Sequence, residues 1–167
     1  ARRTMGRLAD ILRRSLDRSG TQEVTLSEEL EFLERYIEIE RVRFGDRLTV
    51  ETSIPGGTER ALVPTMILQP LVENAIRHGV SVQRGPAKIT ISVSREDGSL
   101  VLGVEDNGVG TQGKGLSLLR MGVGLTNTQE RLRQLYGERQ NLHLESLPGG
   151  GMAVRVAIPY HTQGVFA

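Results

Sequence analysis

The 167-residue sequence contains no cysteine and no tryptophan, and only three phenylalanines and three tyrosines. Without cysteine the chain can form neither disulfides nor thiolate metal sites, which suits a reducing compartment. It also lacks a recognisable signal peptide and any apolar run of the ~18 residues that a membrane-spanning helix needs. The three histidines share no metal-ligand spacing. These absences leave few options for a resident transition-metal centre or a membrane span within the sequence.

The composition that remains is typical of a soluble globular protein, with 38% apolar and 25% charged residues. The length fits one compact domain with a helical extension. The net charge of +1 argues neither for nor against a nucleic-acid partner. Residues 1–18 carry six arginines and two aspartates, but no aromatic residue is interleaved for stacking on bases. A solvated helix face is therefore favoured there, and we expect no nucleic-acid partner. The first residue is not methionine, so we expect a fragment of a larger protein.

Two helices are predicted at the N-terminus. Residues 1–18 have apolar side chains at helical spacing, and Thr25 and Glu28 have the spacing of a capping box that opens a helix running to Phe44. The apolar stripe of this helical extension needs a partner surface, from this chain or from another.

The remainder alternates between strand and helix patterns. A strand from Leu48 to Thr52 is followed by a helix that can place Pro64 in its first turn and that ends at Gly79. Pro70 lies inside this helical pattern, so we expect a kink or a late start.

Two hairpins complete the pattern, with a helix between them that ends at Gly137. Asp97-Gly98 forms the turn of the first hairpin, and Pro148–Gly151 that of the second. Paired antiparallel strands with helices on one face predict a two-layer α+β sandwich around a mixed, mostly antiparallel sheet.

The segment 101–124 has the strongest functional pattern. A strand ends at Asp106, a turn with Gly108 and Gly110 follows, and Gly122 and Gly124 open the next helix. A helix that begins at a glycine-rich loop offers unpaired N–H groups and a positive dipole end to a phosphate. The segment therefore predicts a nucleotide pocket with a mobile cover.

Two better-known nucleotide motifs are matched only in part. Gly108–Gly113 fits GxGxxG, but a dinucleotide fold needs a parallel strand and an acid about 20 residues on. Glu130 has that distance but lies in a helical pattern. A Walker A loop fails because Gly115, and not a hydroxyl residue, follows Lys114.

A second group of residues complements this segment. Asn74, late in its helix, is suited to offer Mg²⁺ one carbonyl oxygen, and Arg77 and His78 are suited to phosphates. Asp106 is suited to accept the exocyclic amine of adenine. Each feature alone is weak evidence, but their joint order and spacing is specific.

At this level the sequence resembles the GHKL (Bergerat) ATP-binding fold. The segments QPLVENAIRHG (69–79), EDNGVG (105–110) and GVGLTNTQERL (122–132) resemble its N, G1 and G2 boxes, and GGGMAVRVAIP (149–159) is similar to its closing G3 hairpin. The segment TLSEELEFLERYIEIERVRFGDRL (25–48) resembles the LytS-type sensor histidine kinases. The resemblance covers nearly the whole chain.

The resemblance implies a bacterial two-component kinase, in which ATP phosphorylates a histidine on a dimerisation helix and a response regulator then accepts the phosphoryl group. It divides the chain into a helical remnant of the dimerisation region (1–44), an ATP-binding catalytic domain (45–162) and a tail (163–167). It also implies a homodimer when the protein is intact, and a position as the cytoplasmic portion of a membrane-bound sensor.

The resemblance also assigns roles to individual residues. Asn74 would bind magnesium, Arg77 and His78 would bind phosphates, and Asp106 would read adenine. Gly108 and Gly110 would lie beside the adenine, and Thr111–Met121 would form the mobile ATP lid. Gly122 and Gly124 would be the hinge of the lid at the phosphates, with Leu125 and Asn127 among the binding residues that follow.

Two departures from the family pattern stand out. The family's phosphorylated histidine lies in a motif resembling HFLFN, which this sequence does not contain, and His78 belongs to the ATP contacts instead. The chain alone is therefore not expected to phosphorylate itself. Met152 stands where the G3 box commonly has a hydroxyl residue, so one polar contact on the phosphate side is expected to be missing.

Three functions are compatible with these residues. Gyrase-like ATPases of the same fold use a glutamate base four residues before the metal-binding Asn, where this chain has Pro70, and Glu73 points about 100° away around the helix. A histidine kinase is therefore favoured over a hydrolase or clamp. A degenerate nucleotide-binding module is the third reading, prompted by Met152 and the missing phosphoacceptor motif.

Overall fold

The computed structural model describes residues 22–80, 85–108 and 122–164, and its centre is a five-stranded mixed sheet. The sheet order is β2-β4-β5-β7-β6, with β2 and β4 parallel and all other neighbours antiparallel. The elements in chain order are β1 (Glu23–Thr25), α1 (Leu26–Phe44), β2 (Leu48–Ser53), β3 (Leu62–Pro64), α2 (Leu68–Ala75), β4 (Ala87–Glu96), β5 (Ser99–Asp106), α3 (Val123–Tyr136), β6 (Asn141–Ser146) and β7 (Met152–Pro159).

One face of the sheet forms the core with the three helices. Alternate residues of the central strands are buried and pack with apolar side chains from all three helices, as strand geometry requires for a half-covered sheet. The opposite face carries charged and small polar residues, including the ion pair of Arg155 with Glu105 at 2.9 Å. The predicted α+β sandwich with helices on one face is confirmed.

The predicted capping box at the start of α1 is present. The Glu28 backbone N–H donates to Thr25 Oγ1 at 3.2 Å, and the Thr25 N–H donates to a Glu28 carboxylate oxygen at 2.9 Å. The buried stripe of α1, which includes Leu26 and Leu33, packs into the core of this same domain. The other predicted N-terminal helix, in residues 1–18, lies outside the described residues.

The start of α2 differs from one of the two sequence predictions. Pro64 ends β3 instead of opening the helix, and Met66 has a left-handed φ of 57°, which a helix cannot contain. Because α2 begins at Leu68, Pro70 falls in the first turn, where its missing N–H costs no helical bond. The late start is therefore confirmed, and the helix placed at Pro64 is wrong.

The end of this segment is also modified. The α-helix stops at Ala75 and continues as one π-helical turn, Ile76–Val80, which includes the predicted end at Gly79. The short antiparallel pair β1–β3 was not predicted, because three-residue strands carry too little periodicity.

Both predicted hairpins are present. Asp97 and Gly98 have positive φ angles of 47° and 81°, as a two-residue turn compatible with the strand twist requires. The β6–β7 hairpin turns through Pro148–Gly151 as expected, and α3 is followed by Gly137.

The C-terminal end of α3 is tied to the N-terminal strand β1. The Tyr136 hydroxyl donates to a Glu23 carboxylate oxygen at 2.7 Å, and the His161 Nε2 contacts the same oxygen. Burial raises the pKa of the Tyr136 hydroxyl, so it remains a proton donor to Glu23. The segment before α1 is thereby joined to the helix that follows the predicted lid.

Candidate nucleotide-binding site

Asp106 occupies the last position of β5, a central strand of the sheet, and is 5% exposed. Its Oδ1 accepts a hydrogen bond from the Gly108 backbone N–H at 3.0 Å. The next residue, Asn107, is also held, because its side-chain Oδ1 accepts from the Lys88 N–H at 2.7 Å. The carboxylate is therefore fixed at the strand end by its own turn and by β4.

Three glycines from different segments pack against this carboxylate and its backbone. A methyl group added at Gly79 would lie 2.6 Å from Asp106 Oδ1, and one added at Gly108 would lie 2.6 Å from the Gly79 Cα. At Gly151 it would lie 2.0 Å from the Asp106 carbonyl oxygen. Real Cβ atoms do not approach this closely, so only glycine fits at these positions.

The sequence analysis identified Gly108 as a site residue but missed the other two. Gly79 was interpreted only as a helix end and Gly151 only as part of a turn. The spacing of neighbouring residues gives no signal for either contact, because each joins residues at least 27 positions apart along the chain. Their membership of the N and G3 boxes was the available indication.

Asn74 lies in α2 and is 8% exposed. Its Nδ2 has no hydrogen-bond partner within residues 22–80, 85–108 and 122–164. A buried amide with an unsatisfied atom is costly unless a ligand or water completes it. The described ranges contain no group of three His, Asp or Glu side chains able to hold a metal ion. The unsatisfied Nδ2 is a donor, which fits a phosphate oxygen or a water. The oxygen of the same amide can be the single protein ligand of an ion that takes its other ligands from water and phosphate, as Mg²⁺ does.

Arg77 and His78 lie in the π-helical turn that follows α2. The Arg77 side chain is 63% exposed, and its guanidinium pairs with Glu73 at 3.2 Å. Because exposed ion pairs contribute little free energy, this pair can be exchanged for a phosphate at small cost. His78 is half-buried. Both residues thus lie within one turn of Asn74, and their expected reach to the phosphates stays a prediction.

The N-terminus of α3 is formed without a capping side chain in the described part of the chain. Gly122 is the N-cap residue, and the first turn contains no acidic residue. Leu125 is buried and anchors the turn, whereas Gly124 and Asn127 are exposed. Backbone N–H groups at such an end favour an anion. Two further predicted features, Gly110 and the lid Thr111–Met121, lie outside the described residues.

Met152 lies beside Asp106 in the sheet. It is the cross-strand partner of Asp106 in the β5–β7 register, is buried, and its Sδ accepts from the Ser146 hydroxyl at 3.4 Å. Directly opposed residues lie about 5 Å apart, so Met152 belongs to the Asp106 end of the site. The expectation that a polar contact on the phosphate side is missing here stays a prediction.

The geometry fits one class of protein. A buried acid at a central strand end, close backbone packing around it and a helix N-terminus without a capping side chain among the described residues are features that an α+β nucleotide-binding domain needs.

Comparison with known proteins identifies the family. Residues 57–162 match the family described as "Histidine kinase-, DNA gyrase B-, and HSP90-like ATPase", and residues 1–48 match the family described as "Histidine kinase". The chain therefore belongs to this ATPase family, as an ATP-binding domain of the histidine kinase type. This confirms the family that the sequence motifs indicated.

Individual relatives support the same conclusion. The chain is 33% identical to Sensor protein LytS of Staphylococcus haemolyticus over 97% of its own length and 29% of that protein. It is 34% identical to Sensor histidine kinase YesM of Bacillus subtilis over 85% of its own length and 25% of that protein. The chain thus spans less than a third of the curated relatives that it matches.

Solved structures show the same fold. The catalytic domain of histidine kinase ThkA matches with a TM-score of 0.64 at 17% identity, over 83% of this chain and 95% of that chain. Acinetobacter baumannii histidine kinase AdeS matches with a TM-score of 0.63 at 18% identity, over 92% of this chain and 76% of that chain. Over the described ranges, none of the helices has the length and apolar character that crossing a membrane would require.

Proposed function

We propose that this chain is the catalytic domain of a two-component sensor histidine kinase, which transfers the γ-phosphoryl group of ATP to a histidine on a dimerisation helix. The observation that carries the proposal is the buried Asp106 enclosed by glycines from three motifs in a domain of the histidine kinase type. The remaining steps assign the two ends of the site.

The Asp106 end recognises adenine. A carboxylate oxygen accepts the exocyclic amine, and Gly108 leaves room for the base to approach the backbone. Gly110 has the same role in the segment that follows. Since the acid is held by its own turn, little reorganisation is needed when the base binds.

The phosphate end binds magnesium and the phosphate chain. Asn74 gives the ion one amide oxygen, and the bound ion would neutralise charge that develops on the phosphates. Arg77 exchanges Glu73 for a phosphate oxygen, with His78 beside it. The N-terminus of α3 contributes N–H groups near Gly122 and Gly124, Leu125 fixes that turn and Asn127 lies at its exposed side.

Transfer to a side chain is favoured over hydrolysis. Pro70, at the position of the gyrase-type base, has no group that can accept a proton, and Glu73, adjacent to Asn74, points about 100° away around the helix. The domain therefore positions and stabilises the phosphates without a well-placed base to activate water.

The partners follow from this role. We propose that residues 1–44 belong to the dimerisation region, of which α1 packs into the core of the catalytic domain formed by residues 45–162. Residues 163–167 are a tail, and the intact kinase is a homodimer. A response regulator would receive the phosphoryl group, and the intact kinase would be a membrane-bound sensor with this part in the cytoplasm.

Supplying the phosphoacceptor helix in trans tests the proposal. With radiolabelled ATP and Mg²⁺, we expect base-stable, acid-labile label on the helix, and none when its histidine is replaced by alanine. Phosphate release at the same rate with and without the helix would instead show a hydrolase and contradict the proposal.

A further inference from the structure

Glu29 is a buried carboxylate on α1, with only 2% of the residue exposed. Its two oxygens accept hydrogen bonds from the backbone of a distant segment, from the Met66 N–H at 2.9 Å and from the Leu68 N–H at 3.0 Å. Leu68 is the first residue of α2, and within the described ranges its N-cap Ile67 supplies no side-chain bond. Glu29 thus caps the N-terminus of α2 from a different helix, in the way that an N-cap side chain would do within the same segment.

The turn that Glu29 holds is conformationally demanding. Met66 has a φ of 57°, in the left-handed region that a residue with a long side chain rarely adopts. Such a conformation persists when the surrounding contacts fix it. Beside it, the Thr65 N–H donates to the Gln22 carbonyl at 3.0 Å, and the Thr65 carbonyl accepts from Arg131 at 2.8 Å. The residue before β1, helix α1 and helix α3 therefore all contact the turn that precedes α2.

The electrostatics of the contact support a specific role. Burial raises the pKa of Glu29, while the backbone N–H groups at the start of α2 and the Arg131 guanidinium act in the opposite direction. A buried carboxylate is costly where no donors meet it. Its two donors are both in the turn that precedes or opens α2, so its effect is concentrated on where that helix begins.

Asn74 lies six residues after Leu68, which is about 9 Å along the helix axis. Because α2 is short, the position of its first turn sets the position and rotation of the Asn74 amide. We propose that Glu29 is a positioning residue for the magnesium–phosphate end of the site, which it controls by fixing the start of α2. This inference rests on the proposed function, since it needs Asn74 to act on the magnesium-bound nucleotide.

The contact also gives α1 a route to the site. Leu26 and Leu33 flank Glu29 on the buried stripe of α1, so a displacement of this helix moves the carboxylate with it. The Asp106 end is held by β4, β5 and β7, whereas both hydrogen bonds of Glu29 go to the turn that opens α2. A shift of α1 is therefore expected to change magnesium-dependent nucleotide affinity more than adenine recognition, because the Asp106 end touches the α2 segment through Gly79 but is otherwise held by strands.

The test is Glu29→Gln, with Glu34→Gln on the exposed face of the same helix as the matched control. Glutamine keeps the size of the side chain but turns its NH₂ towards one of the two N–H donors. Calorimetric titration is done with ATP, with and without Mg²⁺, and with ADP without Mg²⁺. For Glu29→Gln we expect magnesium-dependent ATP affinity to fall at least about tenfold, as for other residues that orient a ligand to a metal. ADP affinity without Mg²⁺ should fall much less, since the Asp106 end meets the α2 segment through Gly79 and is otherwise held by strands. Glu34→Gln should match the wild type throughout.

Several outcomes would overturn the inference. Equal magnesium dependence in the wild type and Glu29→Gln would do so, as would a parallel loss of all three affinities, which indicates a general structural role. If Glu29→Gln does not fold, Glu29→Asp takes its place, since it keeps the charge but shortens the reach to α2. A wild type without any magnesium-dependent affinity would refute the proposed function itself, a result distinct from the others.

Discussion

The two ends of the candidate site are built in different ways. At the Asp106 end, the acid sits on a central strand and is enclosed by Gly79, Gly108 and Gly151 at distances that allow no side chain. At the other end, Asn74 depends on a short helix whose start is set by Glu29, and Arg77 is an exposed partner of Glu73. The Asp106 end is thus held mainly by the sheet, with Gly79 as its contact to the α2 segment, whereas the proposed phosphate end depends on the helices.

The largest expected change in unfolding free energy comes from a substitution at the Asp106 end. Gly151→Ala introduces a methyl group 2.0 Å from the Asp106 carbonyl oxygen, at a φ of 95°. We expect a loss of unfolding free energy of about 3 kcal/mol or more, because backbone strain and a backbone clash combine. Urea unfolding followed by circular dichroism measures it.

Gly149→Ala is the control for this substitution. Gly149 has a similar φ of 87°, but an added methyl group there meets no described atom within 4 Å. It should therefore show the strain alone, about 1–2 kcal/mol. Equal losses for both variants would mean that close packing against Asp106 is not what requires Gly151.

A smaller effect concerns the pH dependence of the contact between α1 and α2. Burial raises the pKa of Glu29 above its ordinary value of 4.5, so above pH 4.5 the folded state retains a proton that the unfolded state has lost. The contribution of Glu29 to stability is therefore complete below pH 4.5 and is lost as the pH rises through the folded-state pKa. The glutamine in Glu29→Gln cannot titrate, so the stability of the wild type minus that of the variant should fall as the pH rises.

Urea unfolding of both proteins at several pH values above 4.5 measures this difference. Arg131 is the charged group that faces Glu29, and it acts against the shift. A difference that stays constant or grows with pH would show that the carboxylate is not held in the buried form described.

The smallest expected stability effect is at the proposed phosphate end. Arg77→Gln removes an exposed ion pair with Glu73 and should change the unfolding free energy by less than about 1 kcal/mol. Under the proposed phosphate role its ATP affinity should nevertheless fall, and its ADP affinity should fall less if the guanidinium binds the terminal phosphate. Glu73→Gln, which frees the same guanidinium, is the matched comparison and should not weaken ATP. If Arg77→Gln leaves ATP affinity intact, Arg77 has no phosphate role.

The sequence predicted those parts of the structure whose signals are local. Asp106 with Gly108, the Thr25 capping box and the Asp97-Gly98 turn each depend on residues within four positions of one another, and each was confirmed in place. The mostly antiparallel sheet was likewise predicted from two hairpins whose turns are local signals. The roles of the site residues in binding ATP and magnesium stay predictions.

The features that the sequence did not reveal depend on long-range contacts. In the sequence, Glu29 is one of several acidic residues on a polar helix. Its hydrogen-bond partners lie 37 and 39 residues away, so no local pattern distinguishes it. The start of α2 was misplaced at Pro64 because the residue in the left-handed turn is Met66, and without a glycine there the sequence gives no indication of the turn. Gly79 and Gly151 similarly contact Asp106 only in the folded chain, where the turn after α2 and the turn before β7 lie beside it.

The most direct test of the two-ended site is calorimetric titration of ADP and ATP, with and without Mg²⁺, into the wild type, Asp106→Asn and Asn74→Ala. We expect Asp106→Asn to weaken both nucleotides whether or not Mg²⁺ is present, because its amide places a donor where the adenine amine needs an acceptor. Asn74→Ala should lose only the magnesium-dependent part of the affinity. Unchanged affinity in Asp106→Asn, or magnesium dependence that survives in Asn74→Ala, would contradict the assignment of the two ends.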